Sequence, residues 1–432
     1  MLKRVFLVGL CFILAFAYAE QELWDTSLGR ERLFNALVDT FRDNYWDESY
    51  RDWDDWSENY RDQALDANSR DDFDRVLRRM VSSLQDDHSR WLGKPSVSNF
   101  DGSSSPSELP NGLGIQHDWI SGLGLVVERV FTNTPAEEAT LQRGDVIVSI
   151  NGESLLGDSG DFTAGRLLGE AVQADSLVLG ISRKGQELNL DIFPKPIDFS
   201  AVRDLPQGNM LDENTGYIYI PSFEAGGVAQ RVHDLINDLE AEGAKSLVLD
   251  LRDNPGGRLG ELGLMLGAFI DGPWVEAFSR GELAWRALYR INDEQGINTL
   301  ENNEGRTIAS EGIDNPANFS GSLAIIVSRF NSSAGEVGPL VLKEFDRATI
   351  IGEATEGNVE AIRTFDLPDG SLVYVAVANL QGIQGTNFTE GLEPDIEVRS
   401  SNLRELARGF DPPVAEALKA LKDLPFTPGK LF

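Results

Sequence analysis

Ser246 to Gly257 reads S-L-V-L-D-L-R-D-N-P-G-G. The first six residues form a short apolar run, the pattern of a strand buried on both faces. The Pro-Gly-Gly end is a turn, and its glycines allow close approach of another backbone or of a substrate. The same grammar repeats downstream. L-A-I-I-V-S (Leu323 to Ser328) is a second buried strand followed by a helical segment, and Ala348 to Gly352 is a third strand. Gly216 to Phe223 reads as a strand and Val228 to Glu242 as a helix. Strands alternating with helices define an α/β core. Arg363 to Leu380 reads as a hairpin around Pro368-Asp369-Gly370, and a helix near Pro413 to Lys422 closes the chain.

After the second buried strand comes F-N-S-S-A-G-E-V-G (Phe330 to Gly338). Ser333 and Glu336 form S-x-x-E, the pattern of a capping box, in which the serine accepts a backbone N–H and the glutamate reaches back. On that tetrapeptide alone, Ser333 is a helix cap. The free N–H groups and dipole of a helix start also favour developing negative charge, so the same position suits a nucleophile.

The chain has 432 residues, too many for one hydrophobic core. Its composition, 41% apolar and 25% charged, is that of a globular protein. The net charge of −32 disfavours nucleic acid as a partner. Lys3 and Arg4, the apolar run Val5 to Phe16 and Ala17-Tyr18-Ala19 read as a signal peptide over 1–19. The expectation is a bacterial protein, exported to the periplasm or secreted, and soluble after cleavage. The single cysteine, Cys11, lies inside that segment, so the mature chain has no thiol chemistry and no disulfide framework. No metal-ligand cluster is visible, and neither metal nor cofactor is expected. Three Asn-x-Ser/Thr sequons occur at Asn318, Asn331 and Asn387. One overlaps the candidate serines, where a glycan would block the site, so the sequons are read as unused.

Residues 20–100 read as an N-terminal helical domain. Arg30 to Phe41 and Asp72 to Leu84 carry apolar residues at helical spacing, and Trp46, Trp53, Trp56 and Tyr60 are candidate core. Residues 101–110, D-G-S-S-S-P-S-E-L-P, form a linker by composition. Residues 111–196 combine short β runs, one short helix and Gly-rich turns, giving a small partly open barrel. The α/β core follows over 197–400, and a C-terminal helical segment over 401–432.

Three stretches carry a family resemblance. T-P-A (Thr134 to Ala136) followed by L-Q-R-G-D-V-I-V-S-I-N-G (Leu141 to Gly152) resembles a PDZ domain. L-D-L-R-D-N-P-G-G (Leu249 to Gly257) resembles the signature of the carboxy-terminal processing, or tail-specific, serine proteases. So does S-A-G-E followed by D-R-A-T-I-I-G-E-A-T-E-G (Asp346 to Gly357). D-W-D-D-W (Asp52 to Trp56) and L-Q-D-D-H-S (Leu84 to Ser89) fit the helical domain of the broader family, which includes the tricorn protease core. The resemblance implies an α/β multidomain protein. It would have a Clp-protease/crotonase-like α/β core, an inserted PDZ domain and an N-terminal helical domain. It also implies that Ser333 is the nucleophile, with Ser332 one residue too early. Gly256 or Gly257 would donate to the oxyanion together with Ala334. The loop Gly112-Leu113-Gly114-Ile115 would grip peptide.

The chain departs from the processing proteases at one decisive position. Their base is a lysine in T-x-G-K-G, but here Thr355 begins T-E-G-N-V, with Asn358 at the lysine position and Ile362 at that of the family's glutamine. Asparagine cannot take a proton at neutral pH. The tricorn-like branch uses serine, histidine and glutamate instead, and this chain has only three histidines. His88 matches that branch's histidine and Glu390 its glutamate, with Glu336 and Glu360 as substitutes. An imidazole base supported by a carboxylate is coherent chemistry. The expected function is an exported serine endopeptidase acting on peptides or unfolded proteins, its PDZ domain binding or gating substrate. The rival is a catalytically inactive relative that binds peptide. Homo-oligomerisation is left open. His117 is a candidate peptide contact and His233 a structural residue.

Overall fold

A computed structural model describes residues 23–86, 88–94, 111–156, 160–197, 205–292, 295–357 and 359–423. The expected signal peptide, the 101–110 linker and Asn358 lie outside them.

Three helices open the chain: α1 (Ser27–Asn44), α2 (Trp53–Leu65) and α3 (Arg70–Ser82). Each starts on a side-chain cap, from Thr26, Asp52 and Ser69 respectively. Phe41, Tyr45, Trp53 and Trp56 form an edge-on and stacked aromatic cluster, so Trp53 and Trp56 are core, while Trp46 and Tyr60 are only partly buried against it. That core is completed from far along the chain, by Leu367, Val373, Val375 and Ala376. The helices therefore cover a sheet rather than close on themselves. The strand β1 (Arg90–Gly93) joins them to it.

The second unit contains β2 (Asn111–Gly112), β3 (Ile115–Ile120), β4 (Gly124–Val130), α4 (Pro135–Glu138), β5 (Val146–Ile150) and β6 (Glu153–Ser154). It continues through α5 (Gly160–Ala171), β7 (Leu177–Arg183), β8 (Gln186–Ile192) and β9 (Lys195–Pro196). The main sheet runs β3-β4-β5-β7-β8, leaving β3 as an edge. Helix α5 packs against β3, β4 and β5.

The α/β core begins with β10 (Gln207–Met210), β11 (Thr215–Tyr219), α6 (Val228–Glu242), β12 (Ser246–Asp250) and α7 (Leu259–Leu266). An antiparallel meander follows: β13 (Gly272–Ser279), β14 (Glu282–Asn292), β15 (Gln295–Asn302) and β16 (Thr307–Asp314). Then come β17 (Ser322–Val327), α8 (Ala334–Glu344), β18 (Thr349–Gly352), β19 (Ala361–Asp366), β20 (Leu372–Gln381) and β21 (Ile396–Glu397). Helices α9 (Leu403–Ala407) and α10 (Pro412–Asp423) end the described chain.

Strands β11, β12, β17, β18 and β21 are parallel neighbours, with β10 antiparallel at one edge. Side chains alternate across this sheet as the pleat requires. Leu247, Leu249, Leu323, Ile325 and Val327 enter the large core shared with α6, α7 and α8. Val248, Ala324 and Ile326 face the other way, onto Ala417 and Leu421 of α10. Both faces are covered, which explains the unbroken apolar runs. The second sheet follows the order β1-β20-β13-β14-β15-β16, with β19 on the free side of β20. Helix α9 lies on the back of the β3–β8 sheet, where Ala407 meets Val126 and Val146. No helix among the described residues is long and apolar enough to cross a membrane.

Candidate active site

Ser333 sits where β17 passes into α8. Its backbone has φ 53° and ψ −130°, a conformation that a residue with a Cβ rarely adopts. The capping box is absent. The Ser333 side chain makes no capping bond, and Glu336 Oε1 instead accepts the N–H of Gly357 at 2.8 Å. Strain of this kind costs of order 1–3 kcal/mol and persists only where surrounding contacts impose it.

Those contacts come from the R-D-N-P-G-G loop. Asn331 is buried; its Nδ2 donates to Leu251 O at 2.7 Å and its Oδ1 accepts Ser328 N–H at 2.7 Å. The Ser328 hydroxyl donates to Arg252 O. Ser332 Oγ donates to Pro255 O at 2.9 Å. Of the two adjacent serines, Ser332 is thus tied to the loop, whereas Ser333 Oγ has no partner among the described residues. Asn331 cannot carry a glycan in this fold, because its amide nitrogen is used internally.

Gly256 and Gly257 have φ +107° and +133°. A Cβ on Gly256 would lie 2.7 Å from Ser333 Cβ and 3.1 Å from Ala334 N, so only glycine fits against the serine. The expected oxyanion set needs narrowing. The Gly256 N–H already donates to Asn254 Oδ1 at 2.8 Å, and Gly256 O accepts from Phe223 N at 2.7 Å. The N–H groups of Gly257 and Ala334 make no hydrogen bond among the described residues. Two free donors therefore flank the serine. Beneath the loop, Arg252 is buried between Asp250 and Asp411. Burial alone would raise the Asp250 pKa, but Arg252 more than offsets it and holds the carboxyl below its usual range.

His88 lies in the turn between α3 and β1. Its Nδ1 is 2.9 Å from Glu360 Oε2, with both side chains mostly shielded. A carboxylate can only accept, so Nδ1 donates to Glu360, and Nε2 is the ring nitrogen left to serve as an acceptor. The expected carboxylate was Glu390. The structure instead brings Glu360 to the imidazole, while Glu390 is exposed with Asn387 Nδ2 3.4 Å away. Glu390 occupies a short 3-10 turn, Phe388–Glu390, whose backbone packs on the Thr355–Gly357 segment. Glu360 ends the loop that leaves Gly357 and enters β19, next to β20, which in turn pairs with β1 just after His88.

One loop connects the two halves. Gly357 is held by Glu336, one turn after Ser333, and Glu360 is held by His88. Two residues separate them, a reach of at most about 11 Å between their Cα atoms. Asn358 falls in that span, outside the described residues. Lys343 is no substitute base, because its Nζ is bound by Glu393 O at 2.6 Å and Asp395 at 2.9 Å. His233 is buried, with Nε2 donating to Leu264 O and Nδ1 accepting Ala317 N–H, both at 2.9 Å. His117 is exposed on β3. Gly112, Leu113, Gly114 and Ile115 link β2 to β3. The N–H groups of Leu113 and Gly114 make no hydrogen bond among the described residues.

Comparison with known proteins agrees with this architecture. Residues 214–398 match peptidase family S41, residues 126–170 match the PDZ domain, and residues 29–82 match the tricorn protease C1 domain. The chain thus carries regions similar to the S41 peptidase, PDZ and tricorn C1 domains, on a mixed α/β fold with an N-terminal helical region. A chloroplastic C-terminal processing peptidase of Tetradesmus obliquus is 29% identical over 335 residues, 75% of this chain and 67% of the relative. A carboxy-terminal processing protease of Bacillus subtilis is 27% identical over 344 residues, 77% of this chain and 65% of the relative. The match thus spans about two thirds of these relatives' own length. A Bacteroides fragilis structure assigned to the S41 proteases has the same fold, with TM-score 0.52 and 18% identity, covering 89% of this chain and 96% of that one.

Proposed function

We propose that the protein is an exported serine endopeptidase that cleaves peptides or unfolded proteins through an acyl-enzyme on Ser333. The observation that carries this reading is the strained, uncapped Ser333, its hydroxyl unbound beside two free N–H donors. Ser333 Oγ attacks the scissile carbonyl while His88 Nε2 takes the hydroxyl proton. Glu360 holds the ring's tautomer and supports the imidazolium that forms. The Gly257 and Ala334 N–H groups receive the developing oxyanion. The C–N bond then breaks, and the amine leaves with the proton from His88. Water, deprotonated by the same nitrogen, hydrolyses the ester and regenerates Ser333. Asn358 replaces the lysine of the processing proteases and contributes no base.

The PDZ unit supplies substrate capture. An extended peptide adds to the edge strand β3 while its C-terminal carboxylate meets the Leu113 and Gly114 N–H groups, the usual mode of strand addition. Peptide binding there delivers or gates substrate for the core. Export rests on the Met1–Ala19 segment.

Casein cleavage by the mature protein, with Ser333→Ala and His88→Ala alongside, tests the reading. Loss of cleavage in both variants is expected. Loss in Ser333→Ala alone would assign the base elsewhere. An inert wild type that still binds peptide C-termini would make the protein a binding relative of the peptidases.

A further inference from the structure

Asp86 lies two residues before His88 and plays no part in the reaction described above. Its Oδ1 accepts the Ser89 N–H at 2.8 Å and shares the His88 N–H, at 3.2 Å, with the Asp86 main-chain oxygen at 2.6 Å. The turn it closes is held from every side. Gln85, just before it, has φ 59°, a left-handed conformation for a residue with a side chain. The Tyr50 hydroxyl donates to Leu84 O at the start of the turn. At its end Ser89 Oγ accepts Ala376 N–H at 3.1 Å, and Ala376 O accepts Trp46 N–H at 3.0 Å. The turn is therefore riveted to β20, the strand that carries β19 and, one residue before it, Glu360.

The second oxygen, Asp86 Oδ2, is buried, and the Tyr45 phenol is a hydrogen-bonding neighbour of this carboxylate. Tyr45 lies against this carboxylate: burial, followed by the negative charge of Asp86, pushes its phenol well above the ordinary value, with Glu360 adding to the effect. Asp86 and Glu360 thus both act electrostatically on one buried tyrosine, and His88 is bonded to both, by main chain to the first and by ring to the second.

We propose that Asp86 is a positioning residue for His88, its carboxylate fixing the main chain of the histidine so that the ring meets Glu360 with Nε2 free. Asparagine keeps the accepting oxygen and should keep the turn; alanine removes it. The inference rests on His88 being the base, and its test separates the two claims.

Two readouts are needed, with wild type, Asp86→Asn, Asp86→Ala and His88→Ala compared. The first is the low-field proton signal of a ring N–H bonded to a carboxylate, seen by NMR with labelled histidine; the chain has three histidines and His88→Ala assigns the peak. The second is kcat and KM on a peptide substrate. Asp86→Ala should lose or broaden the signal and lower kcat about 10- to 100-fold with KM unchanged, while Asp86→Asn restores both to within about threefold. An intact low-field signal in a folded Asp86→Ala protein would overturn the proposal, as would a failure of Asp86→Asn to restore it. A lost signal together with an active His88→Ala enzyme would uphold the positioning role and reject His88 as base.

Discussion

Two serines begin helices under nearly the same local pattern. Ser69 opens α3 as S-R-D-D, and Ser333 opens α8 as S-A-G-E. Ser69 has extended backbone, φ −147° and ψ 161°, and its hydroxyl accepts Asp72 N–H at 3.1 Å. Ser333 has φ 53° and ψ −130° and caps nothing. The acid three residues on differs as well: Asp72 pairs with Arg75 in the same helix, whereas Glu336 reaches out to Gly357. The first serine spends its oxygen on the helix. The second keeps its oxygen free at the cost of backbone strain, which the Asn331 and Arg252 loop contacts hold in place.

The comparison predicts opposite responses to the same substitution. Ser333→Ala should lower kcat at least about 10,000-fold with stability unchanged. Ser69→Ala should leave kcat intact and lose about 1 kcal/mol in urea unfolding. Glycine sharpens the contrast. Ser333→Gly relieves a positive φ and should raise stability by about 1 kcal/mol while abolishing cleavage. Ser69→Gly loses only a few tenths of a kcal/mol. A Ser333→Gly protein no more stable than wild type would mean the strain is not real.

The next effect concerns the carboxylate. Glu360→Gln should reduce kcat about 100- to 10,000-fold, because the amide no longer fixes the ring tautomer or supports the imidazolium. Glu390→Gln should stay within about threefold of wild type. Steady-state kinetics on one peptide decides between them, and the reverse ranking would restore Glu390 as the orienter. Gly256→Ala comes third. The added methyl would meet Ser333 Cβ at 2.7 Å, so either the serine or the loop must move. A 10- to 100-fold loss of kcat is the rough expectation, with KM little changed.

The sequence exposed the parallel strands, because β12 and β17 are unbroken apolar runs and burial on both faces leaves that mark. It also exposed Ser333 and the glycine turn, through a family pattern. Two things stayed hidden. The β13–β16 meander passed unread because its first turn, Arg280-Gly281, uses a left-handed arginine rather than the Asn-Gly that signals a hairpin. Its last strand, T-I-A-S-E-G-I-D, is almost wholly exposed and lacks a hydrophobic stripe. Glu360 was only a substitute because its nearness to His88 depends on two strand pairings, β1 with β20 and β19 with β20, between residues far apart in sequence. Neither residue carries that information locally.

Histidines repeat the contrast between a side chain used for the fold and one kept for chemistry. His88 leaves Nε2 unbonded among the described residues, whereas His233 has both ring nitrogens committed, one as donor to Leu264 O and one as acceptor from Ala317 N–H. Protonating His233 would put a second donor against that N–H and a charge into the core. Burial accordingly lowers its pKa below the ordinary histidine value. The folded state then binds fewer protons than the unfolded chain. Its contribution to stability is complete above about pH 6.5 and is lost as pH falls from there through the folded pKa, at up to about 1.4 kcal/mol per pH unit. Urea midpoints of wild type and His233→Gln between pH 8 and 5 measure this. The wild-type curve should fall more steeply on the acid side, and parallel curves would show that His233 carries no proton linkage.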